Sequence, residues 1–386
     1  MLSGCLTQLE STPPGGTVEL RNDHGPNQGA ALMKRSTKYV GLDVHQAMTV
    51  GTVRTEGGRV IARRMIETSE ESITEFFGAM GGAVHVAFEE GTQAQWLHDL
   101  LSPRVDRVIV CDRRGEKRSG NKGDLVDADE LSERLRCGGL RAVYHGARHR
   151  ADLKELTRAY RNLVEDGTRV MLRLKALFRA RAIRTRGGRV YQPQERNAWV
   201  ARLPEQGARL RAETLYAQLD VLRAQRKKTK AAMVTEAKRD PAWPVLETIP
   251  YFGPVRIALL LATIGTPWRF RTKRNLWAYA GLAVVTRSSA DYELFDGRPR
   301  RTRRRPLTRG LNRNHNRVLK NVFKGAANSA IGHPGPLQDF YHAMLERGMR
   351  EELARVTLAR KLAALTLRLL KTGEAFDPTE LSRPQM

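Results

Sequence analysis

Four acidic residues in the first third of the chain occupy positions that could support chemistry. Asp43 lies within an apolar stretch, KYVGLDVH, and a carboxylate buried there would require a hydrogen-bond partner or a cation. Glu89 ends a second apolar stretch, AVHVAFE, while Asp124 and Asp127 begin a predicted helix and share one of its faces. Each has an ordinary alternative explanation, because a strand-end Asp can cap a turn and acidic residues near a helix N-terminus interact with the helix dipole.

As a set, these carboxylates predict a metal site. They are four hard oxygen donors in one predicted domain of a basic protein, and Mg²⁺ prefers carboxylate and phosphate oxygens. Two such ions about 3.5–4 Å apart can support phosphodiester chemistry. We therefore expect Asp43, Glu89, Asp124 and Asp127 to hold one or two Mg²⁺ ions, which would polarise a scissile phosphate and activate the attacking oxygen.

The charge of the chain favours a polyanionic partner. Its 386 residues include 67 Lys and Arg against 41 Asp and Glu, which gives a net charge of +26 and a pI near 10.7. Because no apolar run reaches the roughly 18 residues that a membrane span requires, nucleic acid is favoured over a membrane. Three dispersed cysteines without a CxxC pair argue against a disulfide framework or a zinc ribbon. These features predict a soluble protein of the reducing cytoplasm, associated with the nucleoid.

An arginine-rich segment in the last third of the chain is the strongest candidate for binding nucleic acid. Pro299 and Pro306 favour an extended backbone there, and guanidinium groups can bind phosphates with two hydrogen bonds. The predicted binding residues are Arg298, Arg300, Arg301, Arg303, Arg304, Arg305, Arg309, Arg313, Arg317 and Lys320. Such contacts would supply affinity and salt dependence rather than sequence choice, and the alternative is a run of charge that is merely solvated.

Strand and helix patterns place the carboxylates in an α/β domain. From residue 38, alternating apolar residues predict three strands, the last two joined by a turn at Glu56-Gly57-Gly58. A helix, the strand AVHVAFEE, a helix, the strand RVIVC and the helix DLVDADELSERLR follow, which favours a mixed sheet flanked by helices. This domain is predicted to span residues 38–148, after a disordered extension over residues 1–37 in which Met33 offers an alternative translation start.

Helices are predicted to dominate the rest of the chain. Apolar residues from Leu153 to Leu177 follow a heptad spacing, and a second helical stretch follows a break at 185–188. They predict a helical coiled-coil hairpin over residues 149–240, whose apolar seam could pair within one chain or between two. Residues 241–375 are predicted to form a mainly α domain that ends in a core-packing helix from Glu351 to Lys371, before a tail over residues 376–386.

Several motifs together resemble the DEDD transposases of the insertion sequence one-ten (IS110) family. The motifs are GLDVH at 41–45, FEEGTQAQWL at 88–97, NKGDLVDADELSERLR at 121–136, LFRARAIRTRG after the heptad seam, and IPYFGP followed by LWAYAGLAVVTRSS. Their order extends the resemblance from Tyr39 to about Asp377. It implies a RuvC-like N-terminal domain with the RNase H fold, a coiled-coil hairpin and a C-terminal transposase domain that carries a serine.

The resemblance also implies roles for the acidic residues. Asp43 matches the first acidic position and Glu89 the second, with Glu90 as the alternative. Asp124 and Asp127 match the final pair, which completes the set of four.

A serine nucleophile is implied in the C-terminal domain. It matches Ser289, with Ser288 as the alternative, because this chain reads Ser288-Ser289-Ala290 where the family usually has Ser-Gly. The hydroxyl would attack a DNA phosphate to form a covalent phosphoserine link. The IPYFGP motif is similar to a helix-hairpin-helix turn, which could cradle a phosphate or could simply pack Phe252 and Pro254.

The resemblance further implies partners. A structured bridge RNA would pair with donor and target DNA and direct recombination, and the chain would act as a homo-oligomer, either a dimer or a tetramer. Two other functions remain open from the sequence. One is a junction-resolving, RNase H-like nuclease that uses the carboxylates and water without a serine, and the other is an inactive nucleic-acid-binding remnant.

Overall fold

The computed structural model describes residues 36–112, 123–145, 150–287, 292–301 and 307–381. The predicted extension lies almost entirely outside these residues. The chain divides between Val143 and Tyr144 into two compact units, which are described in turn.

The first unit is built on a five-stranded sheet. Its strands are β1 (Thr37–Val44), β2 (Met48–Thr55), β3 (Val60–Glu67), β4 (Ala83–Glu89) and β5 (Arg107–Cys111), in the order β3-β2-β1-β4-β5. The first three form the predicted antiparallel meander, and β4 runs parallel to both β1 and β5. Gly58 permits the turn between β2 and β3, since its φ of 87° is strained for other residues. This mixed sheet with helices is consistent with an α/β RNase H-like fold.

One face of the sheet carries the apolar core of this unit. Val40 and Leu42 from β1 and Phe88 from β4 are fully buried there. They pack with two helices, α1 (Glu70–Gly78) and α2 (Ala94–Leu101), which contribute buried residues at helical spacing.

The opposite face is covered by α3 (Asp124–Arg136), which has the limits predicted from the sequence. A Cβ atom on Gly41 would lie 2.2 Å from the carbonyl oxygen of Ala128 and 2.5 Å from the backbone nitrogen of Ser132. Only glycine therefore lets the helix approach β1 this closely. The approach sets the first turn of α3 above the end of β1, next to Asp43.

The second unit begins with two long helices that pack against each other. These are α4 (Ala151–Arg179) and α6 (Gln206–Lys238), connected through the short α5 (Arg196–Ala201). Leu174 and Phe178 pack with Ala212 and Leu219 near the connection, whereas Leu153 shares a core with Met233 at the other end. The helices are therefore antiparallel, and the apolar seam predicted over α4 is paired within the chain.

The remainder of this unit is mainly helical in its described residues. The helices are α7 (Trp243–Glu247), α8 (Pro254–Ile264), α9 (Lys273–Tyr279), α10 (Arg317–Ile331), α11 (Pro336–Glu346) and α12 (Glu351–Thr372). Leu358, Leu362 and Leu369 of α12 are fully buried, which confirms its predicted packing role. Phe252 is also buried, with its ring centroid 6.3 Å from that of Phe323, so this residue of the IPYFGP motif packs in the core.

Two small antiparallel sheets complete the description. One pairs β6 (Val284–Arg287) with β9 (Leu307–Leu311), and the other pairs β7 (Tyr292–Phe295) with β8 (Arg298–Arg301). The first part of the arginine-rich segment is therefore extended, as the prolines predicted. Within the part of the chain that the structure describes, no helix is long and apolar enough to cross a membrane.

Candidate functional site

Two of the predicted acidic residues lie at the carboxyl ends of neighbouring parallel strands. Asp43 is the penultimate residue of β1, and Glu89 is the last residue of β4. Since Leu42 is aligned with Phe88, the next positions along the strands, Asp43 and Glu89, are adjacent. Side chains alternate along a strand, so both residues belong to the face covered by α3, opposite the one that buries Leu42 and Phe88. Glu90, the sequence alternative, follows the last residue of the strand.

The first turn of α3 supplies the other two acidic residues. Asp124 begins the helix and is exposed, while Asp127 is half-buried, with its backbone N–H donating to the carbonyl oxygen of Gly123. Both carboxylates are close enough to Asp43 to raise the pKa of its carboxyl group. Burial is the main cause that raises the pKa of Asp43, and repulsion from Asp127 and Asp124 raises it further, although His45 partly offsets them.

His45 joins this centre without having been predicted. Its Nε2 atom lies 3.2 Å from a carboxylate oxygen of Asp43 and 3.6 Å from one of Asp124. The sequence signal was present, because His45 ends the GLDVH motif only two residues after Asp43. His45 follows the end of β1, where side chains no longer alternate between the two faces of the sheet. The sequence pattern therefore does not predict which way its imidazole points.

Asp43, His45 and Asp124 form a donor set that fits a divalent cation. One ligand atom from each lies within 4.8 Å of the other two. Carboxylate oxygens suit Mg²⁺ or Mn²⁺, and an imidazole nitrogen is compatible with Mn²⁺ and other transition metals. Burial, with smaller contributions from Asp127 and Asp124, raises the pKa of Asp43, and a bound cation would favour its ionised form. The structure thus brings Asp43, Asp124 and Asp127 together, and the strand register brings Glu89 beside them.

A second polar network fixes α3 on the sheet. The hydroxyl of Thr52 on β2 donates to Asp129 at 2.6 Å, and the guanidinium group of Arg63 on β3 binds both oxygens of the same carboxylate. One turn further along the helix, Arg54 donates to the hydroxyl of Ser132 at 2.8 Å. These bonds hold the helix whose first turn carries Asp124 and Asp127.

The predicted nucleic-acid-binding residues are described only in part. Arg298, Arg300, Arg313 and Arg317 are exposed, and Lys320 is half-buried, where burial and the nearby Lys324 lower its pKa. Arg301 and Arg309 lie in β8 and β9. The residues outside the described part of the chain are Arg303, Arg304, Arg305 and both candidate serines, Ser288 and Ser289.

Comparison with protein families connects both halves of the chain to one kind of protein. A model described as "Transposase", for the DEDD transposases of IS110, matches residues 40–181. A second model, described as "Transposase IS116/IS110/IS902 family", matches residues 244–311. These matches support an IS110-family transposase. The four acidic residues lie within the first matched range and the two candidate serines within the second.

Two curated proteins encoded by insertion elements are similar to part of the chain. An uncharacterised 44.8 kDa protein of insertion element IS116 from Streptomyces clavuligerus is 28% identical over 141 residues, which are 36% of this chain and 32% of the relative. An uncharacterised 43.6 kDa protein of insertion element IS110 from Streptomyces coelicolor is 26% identical over 164 residues, which are 42% of this chain and 37% of the relative. The chain thus spans about a third of the length of these curated relatives.

Proposed function

We propose that the chain is a DNA transposase of an insertion sequence, which cuts and rejoins DNA with the help of divalent metal ions. The observation that carries this proposal is the convergence of Asp43, His45 and Asp124 in the segment similar to DEDD transposases. Carboxylates of like charge held close together are unfavourable unless a cation is bound, and phosphodiester chemistry provides a reason to keep them.

The acidic centre would hold the metal through side chains from three elements. Asp43 and Glu89 come from the ends of β1 and β4, and Asp124 and Asp127 come from α3. When bound, Mg²⁺ polarises a phosphate and lowers the pKa of an attacking oxygen. His45 would orient the carboxylates of Asp43 and Asp124, which it already approaches.

Ser289, or Ser288 in its place, would be the nucleophile. Its Oγ would form a bond to the DNA phosphorus as the bond between phosphorus and the leaving deoxyribose oxygen breaks, and that oxygen would take up a proton. The reverse attack by a DNA hydroxyl would release the serine and join the strands. The match over residues 244–311 and the resemblance of the surrounding motif support this role.

Sequence choice would be delegated to a structured bridge RNA that pairs with donor and target DNA. A chain with a net charge of +26 is suited to reading phosphates and helical shape, while base pairing supplies the sequence information. The arginine-rich segment and the basic residues after it, from Arg298 to Lys320, would contact the nucleic-acid backbone. We further propose a dimer or tetramer, with a RuvC-like domain over residues 38–148, a coiled-coil hairpin over 149–240 and a transposase domain over 241–375.

A recombination assay tests the proposed chemistry. A supercoiled plasmid with the ends of the element is incubated with the protein, Mg²⁺ and RNA transcribed from the flanks of the gene. We expect strand transfer by the wild type, none by Asp43→Asn, and a covalent protein–DNA adduct that Ser289→Ala abolishes. Ser288→Ala is the matched control, and an adduct lost only in that variant would move the nucleophile by one residue.

The same assay separates the two alternative functions. Cleavage that survives in both serine variants but requires Mg²⁺ and Asp43 would indicate a nuclease of the junction-resolving kind. Binding without cleavage under every condition, unchanged in Asp43→Asn, would indicate an inactive remnant. Sequencing of RNA that copurifies with the protein tests guidance, because random fragments rather than one structured species would contradict it.

A further inference from the structure

The β7–β8 hairpin exposes large apolar side chains on both of its faces. The relative exposure of Tyr292 is 65%, that of Leu294 is 80% and that of Phe295 is 56%. Alternation along the strand puts Tyr292 and Leu294 on one face and Phe295 on the other. Among the described strands, β7 and β8 pair only with each other, and none of these three residues belongs to a described core cluster.

The hairpin nevertheless has a defined local geometry. Asp296 and Gly297 form its turn with φ values of 48° and 70°, the combination of two positive angles that matches the twist of paired strands. The register then aligns Phe295 with Arg298 and Leu294 with Pro299. A two-stranded hairpin is marginally stable alone in water, so a surface that covers these side chains would stabilise it.

The arginines of the hairpin indicate what kind of partner would cover its apolar side chains. The guanidinium carbon of Arg300 lies 5.2 Å from the centroid of the Phe295 ring, and Arg298 is exposed directly across the ladder from the same residue. The sequence continues with further arginines to position 305. Aromatic rings interleaved with guanidinium groups favour unpaired nucleotides, because the rings stack on bases while the guanidinium groups bind phosphates. An apolar protein surface would offer these guanidinium groups no anionic partner beyond Glu293, which lies across the ladder from Arg300.

We propose that the β7–β8 hairpin stacks unpaired nucleotides on both of its faces. Phe295 would lie against a base on the face where Arg298 and Arg300 bind phosphates, and Tyr292 would lie against a base on the opposite face. This rests on the proposed function for the presence of a nucleic-acid partner and adds a mode of recognition to it. Arginines alone would bind phosphates in duplex and single strand alike, whereas the rings discriminate in favour of bases that are not paired.

Binding to three matched probes tests the platform in the full-length protein. The probes are a fluorescein-labelled oligothymidylate of about 16 nucleotides, an abasic strand with the same phosphates, and a duplex of the same length. The double variant Tyr292→Ala, Phe295→Ala should bind the oligothymidylate at least about tenfold more weakly, with unchanged affinity for the other probes. Leu294→Ala, which removes a more exposed apolar side chain without a ring, should match the wild type, and Tyr292→Trp should retain binding.

Several outcomes would overturn the proposal. An unchanged affinity of the double variant for oligothymidylate would do so, as would an equal loss on the abasic strand or an equal loss in Leu294→Ala. A wild type that binds none of the probes would instead remove the nucleic-acid function itself. A change in the sedimentation coefficient of the double variant without nucleic acid would identify the hairpin as a contact between copies of the chain. The variant should fold normally, because the replaced side chains lie outside the described core, and circular dichroism checks this.

Discussion

The carboxyl group of Asp43 lies in surroundings that disfavour its ionisation. Burial and the neighbouring Asp127 and Asp124 raise its pKa above the ordinary value of 3.8, against the opposing effect of His45. An acid with a raised folded-state pKa holds its proton more tightly in the folded than in the unfolded chain. The free energy of unfolding therefore falls as the pH rises from the ordinary value through the folded pKa.

Replacement of Asp43 by Asn should raise the melting temperature at neutral pH in a buffer that contains a chelator. The gain should disappear below pH 3.8, where the wild-type carboxyl group is protonated in both states. Millimolar Mg²⁺ should raise the melting temperature of the wild type more than that of the variant, because a cation binds the folded form. Differential scanning fluorimetry measures both effects. Glu56→Gln, at an exposed turn, is the control, and an equal Mg²⁺ response in Asp43→Asn would argue against a metal at this centre.

Gly41 controls how close α3 lies to the sheet. In Gly41→Ala the added Cβ would meet backbone atoms of Ala128 and Ser132 at 2.2 Å and 2.5 Å, so the helix must move. We expect a loss of about 1–3 kcal/mol in the free energy of unfolding, together with weaker Mg²⁺ binding, since Asp124 moves with the helix. Urea unfolding and titration calorimetry measure these changes.

Gly57→Ala provides the matched glycine control. Its added Cβ would come no nearer than 3.9 Å to the Thr55 hydroxyl oxygen, so its stability should stay within about 0.5 kcal/mol of the wild type. Similar losses in both variants would mean that glycine flexibility, rather than the close approach of α3, explains the effect.

The candidate site could be predicted from the sequence only as far as residue types and strand ends allow. Asp43 and Glu89 are recognisable as candidates because a carboxylate that ends an apolar strand is conspicuous in a sequence. Their adjacency depends on β1 pairing with β4 in parallel, a long-range contact that no local pattern encodes. His45 is not predicted because it follows the end of the strand. The need for glycine at position 41 comes from the close approach of α3, a helix more than 80 positions later in the sequence.

At the scale of elements, prediction succeeded where periodicity was strong. The meander follows from alternation, and α3 has its predicted limits because its acidic first turn and basic last turn agree with the helix dipole. The second long helix was harder to delimit. Between Leu219 and Met233 it contains no buried residue, so a basic run such as Arg226-Lys227-Lys228 gave no apolar pattern, although α6 continues through it.

Asp129 attaches α3 to the sheet through its bonds to Thr52 and Arg63. Bonds from Arg63 are the main cause that lowers the pKa of Asp129, with Thr52 adding to them. A lowered folded-state pKa stabilises the fold above pH 3.8, and this contribution is lost as the pH falls through the folded value. Asp129→Asn should therefore reduce the free energy of unfolding at neutral pH by about 1–2 kcal/mol, a modest value because Arg63 is partly exposed. Urea unfolding should show this difference shrinking below pH 3.8.

Glu130→Gln tests whether any carboxylate on α3 would have the same effect. Glu130 is more exposed, and its carboxylate lies 3.6 Å from Arg134 on the same helix, so its replacement removes an ion pair within α3. We expect a change of at most about 0.5 kcal/mol. Equal losses in the two variants would show that the charge on the helix matters, rather than the bonds to β2 and β3.

At the scale of the whole molecule, the chain has 26 more positive than negative charges. This total does not say which part of the chain binds a polyanion. A polyanion could be attracted by the summed field of the chain or bound by a few guanidinium groups, and both give salt-dependent affinity. The slope of log affinity against log salt distinguishes them, because it counts the phosphates that are contacted rather than the net charge.

Replacing two arginines on the hairpin, or two arginines on α4, removes the same amount of charge from different parts of the chain. Arg298 and Arg300 are exposed on the hairpin, whereas Arg158 and Arg169 on α4 lie 2.6 Å and 2.5 Å from the carboxylates of Glu155 and Asp166. Replacing the hairpin pair by Ala should reduce the slope for duplex DNA by up to about 1.8, while replacing the α4 pair should leave it unchanged. Fluorescence anisotropy over a range of salt concentrations measures both. Equal reductions would assign binding to the field of the whole chain, since each double variant lowers the net charge by the same amount.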